Sequence, residues 1–183
     1  KDVNCNLILM AKKLHLVNLK GENIITGAAM KDYANNYDFN LDLPIAEKTE
    51  AQMADLLIST VPGVKLIGTC NNSDYDLKFS YKNGTFTVEV KEDFTCERTG
   101  NVGVEYECRG KRSGIAVSKA DFYLYKVHRP DGKIGCYITP KSNLRKMIKD
   151  KKYFRDVCGG DVGSNSWNHL FKLDVIAKEF MLI

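Results

Sequence analysis

The sequence predicts an α/β (α+β) domain, with a mixed sheet of about five strands flanked by helices in the order αβββαββα. Three observations lead there. Two alternating apolar/polar segments flank Asn83-Gly84, a strong hairpin signal. A helix-start pattern precedes them. Two more strand-like runs follow, and then a basic amphipathic segment after Pro140.

The first readable element is a helix from Thr49. Thr49-Glu50-Ala51-Gln52 has capping-box form, Met53, Leu56 and Leu57 follow at helical spacing, and Pro62-Gly63 ends the segment. Asp76 to Tyr81 then alternates, with Leu77, Phe79 and Tyr81 on one face. Thr85 to Lys91 alternates again, placing Phe86, Val88 and Val90 inward and Thr87, Glu89 and Lys91 on the other face. A polar loop is expected over Glu92–Asn101, and a third strand over Val102–Cys108. A turn follows over Arg109–Gly114, and a short helix over residues 115–121. Strands are expected at Phe122–Val127 and Ile134–Thr139, joined at Asp131-Gly132. Ser142 is expected to cap a helix carrying Leu144, Met147 and Ile148. His169 onward reads as helix or strand. Residues 1–46 show an apolar start, a turn near Gly21 and an Asn/Asp/Tyr-rich stretch.

The 183 residues fit one domain, 1–183, with a core of about 47–155 and embellishments at 1–46 and 156–183. A hydrophobic fraction of 44% and a charged fraction of 27% make disorder a poor description of the whole chain and rule out a collagen-like or membrane chain. The longest apolar run, Leu7–Ala11, is far short of a membrane span. No secretion-signal pattern is visible, so a cytoplasmic location and no membrane partner are expected. Cys5, Cys70, Cys96, Cys108, Cys136 and Cys158 form no Cys-x-x-Cys pair and are expected to be reduced thiols.

The net charge of +4 is unevenly spread. Residues 141–156 hold seven basic and two acidic side chains, so this one segment carries +5. Such a segment suits an anionic partner, with nucleic acid foremost; its bland alternative is a solvated helix face.

The informative constellation is Asp76, then Glu89-Val90-Lys91. The hairpin can bring Asp76 beside the Glu89 strand, and Glu89 and Lys91 share a face. Two carboxylates and a main-chain carbonyl, that of Val90, suit a hard divalent ion such as Mg²⁺, with Mn²⁺ as a substitute. Lys91 can orient or deprotonate a water. Alone, the Glu-Val-Lys triplet describes any edge strand with solvated Glu and Lys. The upstream Asp and the hairpin make it more specific.

These residues resemble the PD-(D/E)xK nuclease superfamily, over the span from Glu50 to about Thr139. The resemblance implies a restriction-endonuclease-like core and Mg²⁺-dependent phosphodiester hydrolysis of nucleic acid. It implies metal binding by Asp76 and Glu89, and water activation by Lys91. A helix carboxylate often joins the metal; Glu50 is the best match and Glu47 the alternative. The sequence departs from the family in lacking a Pro before the Asp, and Asp74-Tyr75-Asp76 offers two candidates, of which Asp76 opens the alternating strand. Thr99-Gly100-Asn101, Glu105, Ser113-Gly114-Ile115 and Ala120-Asp121 look like a phage-type subgroup that includes Holliday-junction-resolvase-like members. That likeness implies that Glu105 and Ser113 lie near the active site. It also implies a homodimer if the enzyme resolves junctions, and a host cytosol if the chain is phage-encoded.

Phosphate contacts are expected from Arg98, Lys111 and Arg112 in loops around the metal, and from Lys141, Arg145, Lys146 and Lys149 on the basic helix. DNA is expected ahead of RNA. No helix-turn-helix or zinc module is visible, which favours structure-selective or nonspecific cutting. The rival reading is a catalytically inactive nucleic-acid-binding or inhibitory protein on the same scaffold. Other chemistries lack their motifs: Gly110-Lys111 is followed by Arg112 rather than Ser or Thr, and His15, His128 and His169 are isolated. Trp167 is expected in the core.

Overall fold

The computed structural model describes residues 39–70, 74–159 and 165–183. The reading of residues 1–38, including Cys5 and His15, lies outside them. The fold is α+β, built on a mixed six-stranded sheet with a second, four-stranded sheet beside it. Helix α1 (Phe39–Thr60) leads into β1 (Val64–Thr69), β2 (Leu77–Tyr81) and β3 (Gly84–Asp93). Helix α2 (Cys96–Thr99), β4 (Asn101–Cys108), β5 (Lys111–Arg112) and a 3₁₀ turn (Gly114–Ala116) form the crossover to β6 (Phe122–His128). Then come β7 (Ile134–Pro140), α3 (Lys141–Lys149), β8 (Arg155–Gly159), β9 (Ser166–Lys172), α4 (Leu173–Glu179) and β10 (Met181–Leu182). The first sheet has the order β1-β2-β3-β6-β7-β10, and the second β5-β4-β9-β8. Among the described residues only β3 and β6 pair in parallel, with Glu89 opposite Tyr123.

Alternation decides the two faces of the first sheet. Leu77, Phe79, Phe86, Val88, Val90, Phe122 and Leu124 pack against Met53, Ala54, Leu57 and Val61 of α1. The opposite face presents Tyr123, Tyr125, Val127 and Tyr137 to Val102 and Val104 of β4, Leu144 and Met147 of α3, and Phe171 of β9. The sheet is thus covered by a helix on one side and by the second sheet with α3 and α4 on the other. No described helix is long and apolar enough to cross a membrane. Cys70, Cys96, Cys108, Cys136 and Cys158 are free thiols.

The structure corrects several expectations. The strand count and element order differ from αβββαββα. Val102–Cys108 alternates as read, but it leaves the first sheet and pairs with β9, Val104 facing His169. A period of two reveals a strand and not its neighbour. Thr49 does not start a helix: α1 begins at Phe39 and carries Pro44 inside it, while buried Thr49 donates its hydroxyl to Glu92. The hairpin turn is Lys82-Asn83, one residue earlier than read, because Tyr81 pairs with Gly84 and Lys82 takes φ +52°. The loop at 92–101 contains α2. Asp93 organises it, accepting from the Cys96 amide at 3.0 Å and the Gly103 amide at 3.1 Å.

The helix expected at 115–121 shrinks to the 3₁₀ turn. The Ser118 hydroxyl takes the Ala120 amide at 3.2 Å, a local bond that competes with the helical ladder. Ser142 lies inside α3, which starts directly after Pro140 without a side-chain cap. Trp167 is exposed on β9, not in the core. His169 is a satisfied residue, bonded to Asp156 between the rings of Tyr106 and Tyr153.

Candidate active site

The site grows from a mismatch between strand lengths. β2 begins opposite Val88, so the amide of Val90 lies beyond the last ladder pair. The Asp76 carboxylate takes that amide through Oδ2 at 2.6 Å. This fixes Asp76 beside the Glu89-Val90-Lys91 strand. Asp74 turns elsewhere and pairs with Lys119 at 3.0 Å, so Asp76 is the better placed of the two candidates.

On β3, Lys91 Nζ contacts Glu89 Oε1 at 2.7 Å. The Ser118 hydroxyl donates to Glu89 Oε2 at 3.1 Å. Glu89 is 8% exposed, so its charge is held by these two donors rather than by water. The Lys91 side chain is 43% exposed overall, while its ammonium is turned inward onto buried Glu89. Glu50, half-buried on α1, lies within electrostatic reach of Asp76, Glu89 and Lys91, while Glu47 is exposed one turn earlier.

Electrostatics tie the four charges together. Burial raises the Asp76 carboxyl above its usual range and Glu89 adds to this, with Lys91 and the Val90 amide opposing. Burial also raises Glu50, helped by the charges of Asp76, Glu47 and Glu89. Burial alone would lower the Lys91 ammonium, but Glu89 and Asp76 outweigh it and the net direction is upward. Lys91 is therefore a cation that can orient a water or steady negative charge, rather than a ready base.

The other expected residues are dispersed. Glu105, on β4, accepts from the Ser113 hydroxyl at 2.7 Å. The close fit of that loop requires Gly114, at φ +47°, because a Cβ there would lie 2.3 Å from the Glu105 carbonyl oxygen. Arg98 sits in α2, and Lys111 and Arg112 form β5, so none is in a loop as expected; all three are exposed. Lys146 pairs with Asp150, and Lys149 is exposed. Lys141 donates to the Ser118 carbonyl at 3.1 Å and Arg145 to the Ile115 carbonyl at 3.2 Å, which draws both toward the Glu89 side of α3.

Two residues at the site escaped the sequence reading. Ser118 precedes the quoted Ala120-Asp121, and nothing in its spacing marks it. Tyr123 alternates with Phe122 and Leu124, so its face was legible, but its position beside Glu89 needed the parallel register.

No group of three His, Cys, Asp or Glu side chains among the described residues forms a ready metal cage. Mg²⁺ does not require one, since it commonly takes one or two carboxylates and keeps waters or substrate oxygens. Asp76, Glu89 and Glu50 are an all-oxygen set of the kind such an ion takes, and a divalent cation would oppose the carboxylate repulsion that adds to burial in raising Asp76 and Glu50. No protein-family model matches the chain, and no curated protein matches it.

Proposed function

We propose that the protein is a divalent-metal-dependent endonuclease that hydrolyses DNA phosphodiester bonds on a restriction-endonuclease-like core. Its cutting is structure-selective or nonspecific, and its expected location is the cytoplasm. One observation carries the reading: Glu50, Asp76, Glu89 and Lys91, from α1, the start of β2 and β3, act on one another as a single charged cluster. Asp76 and Glu89 would hold Mg²⁺, with Glu50 as a third carboxylate. The bound ion would supply Lewis-acid polarisation of a phosphoryl oxygen and a more acidic water. Lys91, anchored on Glu89, would orient the attacking water and steady charge that develops on the phosphate. Ser118 would hold Glu89 in register from behind.

The test is incubation of purified protein with Mg²⁺ and duplex, single-stranded and branched DNA, with RNA alongside. Wild type is expected to cut at least one DNA, and Lys91→Ala and Glu89→Gln to lose cutting while keeping the wild-type circular dichroism. Inert wild-type protein on every substrate would overturn the reading.

A second reading, a nucleic-acid-binding protein that does not cut, is favoured by one observation: both Glu89 oxygens are already held by Lys91 and Ser118. Calorimetric titration with Mg²⁺ or Mn²⁺ separates the two. Metal binding that disappears in Asp76→Asn supports the nuclease.

A further inference from the structure

We infer that Tyr123, Lys141 and Arg145 form a phosphate-binding station beside the carboxylate cluster, taking one phosphodiester of a nucleic-acid strand. The inference deepens the nuclease reading and rests on it for the choice of ligand.

The first line of argument is the backbone. Asp121, just before β6, accepts the Lys141 amide at 2.9 Å and donates its own amide to the Thr87 carbonyl at 3.0 Å. The start of α3 is thereby tied to the strand that carries Glu89. Lys141 Nζ then reaches the carbonyl of Ser118, the residue whose hydroxyl holds Glu89.

The second is the kind of partner each cation has. Lys146 and Lys152 are matched to the carboxylates of Asp150 and Glu179. Lys141 and Arg145 are held instead by main-chain carbonyls. A carbonyl positions a cation without neutralising it; the Asp121 and Glu89 charges also act on Lys141, but neither cation has a direct carboxylate ion pair among the described residues, which leaves them able to take an anion. They are also mutually close, since Arg145 acts to lower the Lys141 ammonium after burial.

The third is Tyr123. It is 1% exposed, yet its hydroxyl has no hydrogen-bond partner among the described residues. Ser118 lies near enough to favour the ionised phenol but not in hydrogen-bonding geometry, and Glu89, Lys91 and Arg145 are the charges around it. Burial pushes this phenol up to about 12, so it is a proton donor across the neutral range. A buried donor without an acceptor costs about 1–3 kcal/mol. A phosphate oxygen drawn in by Arg145 and Lys141 would supply that acceptor. Two cations and one neutral donor suit a singly charged diester better than a bare carboxylate, which lacks its tetrahedral spread of oxygens.

The test reads binding without cutting: fluorescence anisotropy of labelled DNA in EDTA, across a salt series. Arg145→Gln is expected to weaken binding by about tenfold or more and to reduce the salt slope by about 0.7–0.9. Tyr123→Phe is expected to weaken binding by about tenfold while melting no lower than wild type, because the lost hydroxyl had no partner. Lys178→Gln, an exposed charge on α4, is the control and should change binding less than about threefold.

Binding by Tyr123→Phe and Arg145→Gln within about twofold of wild type would overturn the station, as would wild type that binds no DNA. If the protein cuts DNA with Mg²⁺ while these variants bind normally, the station fails and the nuclease reading stands. If the variants bind weakly and wild type never cuts, the station stands and the nuclease reading fails.

Discussion

Gly114→Ala and Gly110→Ala form a matched pair that isolates one steric contact. Both glycines sit at positive φ, +47° and +72°. Each alanine therefore incurs the left-handed penalty of about 1–2 kcal/mol. The surroundings differ. Nothing lies within 4 Å of a Cβ built at Gly110. A Cβ at Gly114 would meet the Glu105 carbonyl oxygen at 2.3 Å, its carbon at 3.0 Å and its Cβ at 3.2 Å. Two of those atoms are backbone of a strand paired with β9, so neither can rotate away. The loop must move, and the Ser113–Glu105 bond at 2.7 Å moves with it. Adding about 1–2 kcal/mol for overpacking and about 1 kcal/mol for the bond gives a loss of about 3–5 kcal/mol at Gly114. For a chain of this size each kcal/mol lowers the melting temperature by about 2–4 °C. Urea denaturation of both variants measures the difference directly, with unchanged m-values as the check on two-state behaviour. Equal losses at the two positions would refute the steric argument and leave backbone strain alone.

Lys91→Met should lower any Mg²⁺-dependent cutting by about 10²–10³-fold, read by steady-state rates, and should also lower the melting temperature, because buried Glu89 loses one of its two donors. Phe86→Ala should cost about 3–5 kcal/mol in urea titration, since Phe86 stacks on Phe79 at 5.3 Å and meets Phe122 edge-on at 5.6 Å. Glu92→Gln tests a charge held below its usual range. Burial raises this carboxyl, but hydrogen bonds from His128, Lys126 and Thr49 outweigh it, so its folded value falls below 4.5. The stabilisation is complete above pH 4.5 and is lost as pH falls through the lowered value. The variant should thus be about 3 kcal/mol less stable at pH 7, with the gap closing in acid. A gap constant from pH 7 to well below 4.5 would contradict the assignment.

Local pattern made the hairpin readable. Leu77, Phe79 and Tyr81, then Phe86, Val88 and Val90, mark their buried face by period two, and Glu89 and Lys91 follow onto the other face. That is why Asp76 and the Glu89 strand could be paired from sequence. Pairings between distant segments were not readable. Val104 meets His169 and Glu89 meets Tyr123 only because of long-range register. Thr49 misled because Thr-Glu-Ala-Gln has the composition of a helix start, while its actual setting is the middle of α1, facing Glu92. Tyr123 and Ser118 were missed for the same reason as the second sheet: their significance lies in what the fold brings beside them.

The pairing of β4 with β9 also bears on the order in which the chain can fold during synthesis. The first sheet and its α1 face can close once Pro140 has emerged, because β1, β2, β3, β6 and β7 are then all present. The opposite face cannot. Phe171, Ile176 and Phe180, which cover Tyr123, Tyr125 and Tyr137, arrive only some thirty or more residues after Pro140. Until then one apolar face stays open and the edge of β4 lacks its main partner, a state prone to association with other chains. The segment that follows α3 removes this liability, and it does so in both sheets, β9 in one and β10 in the other.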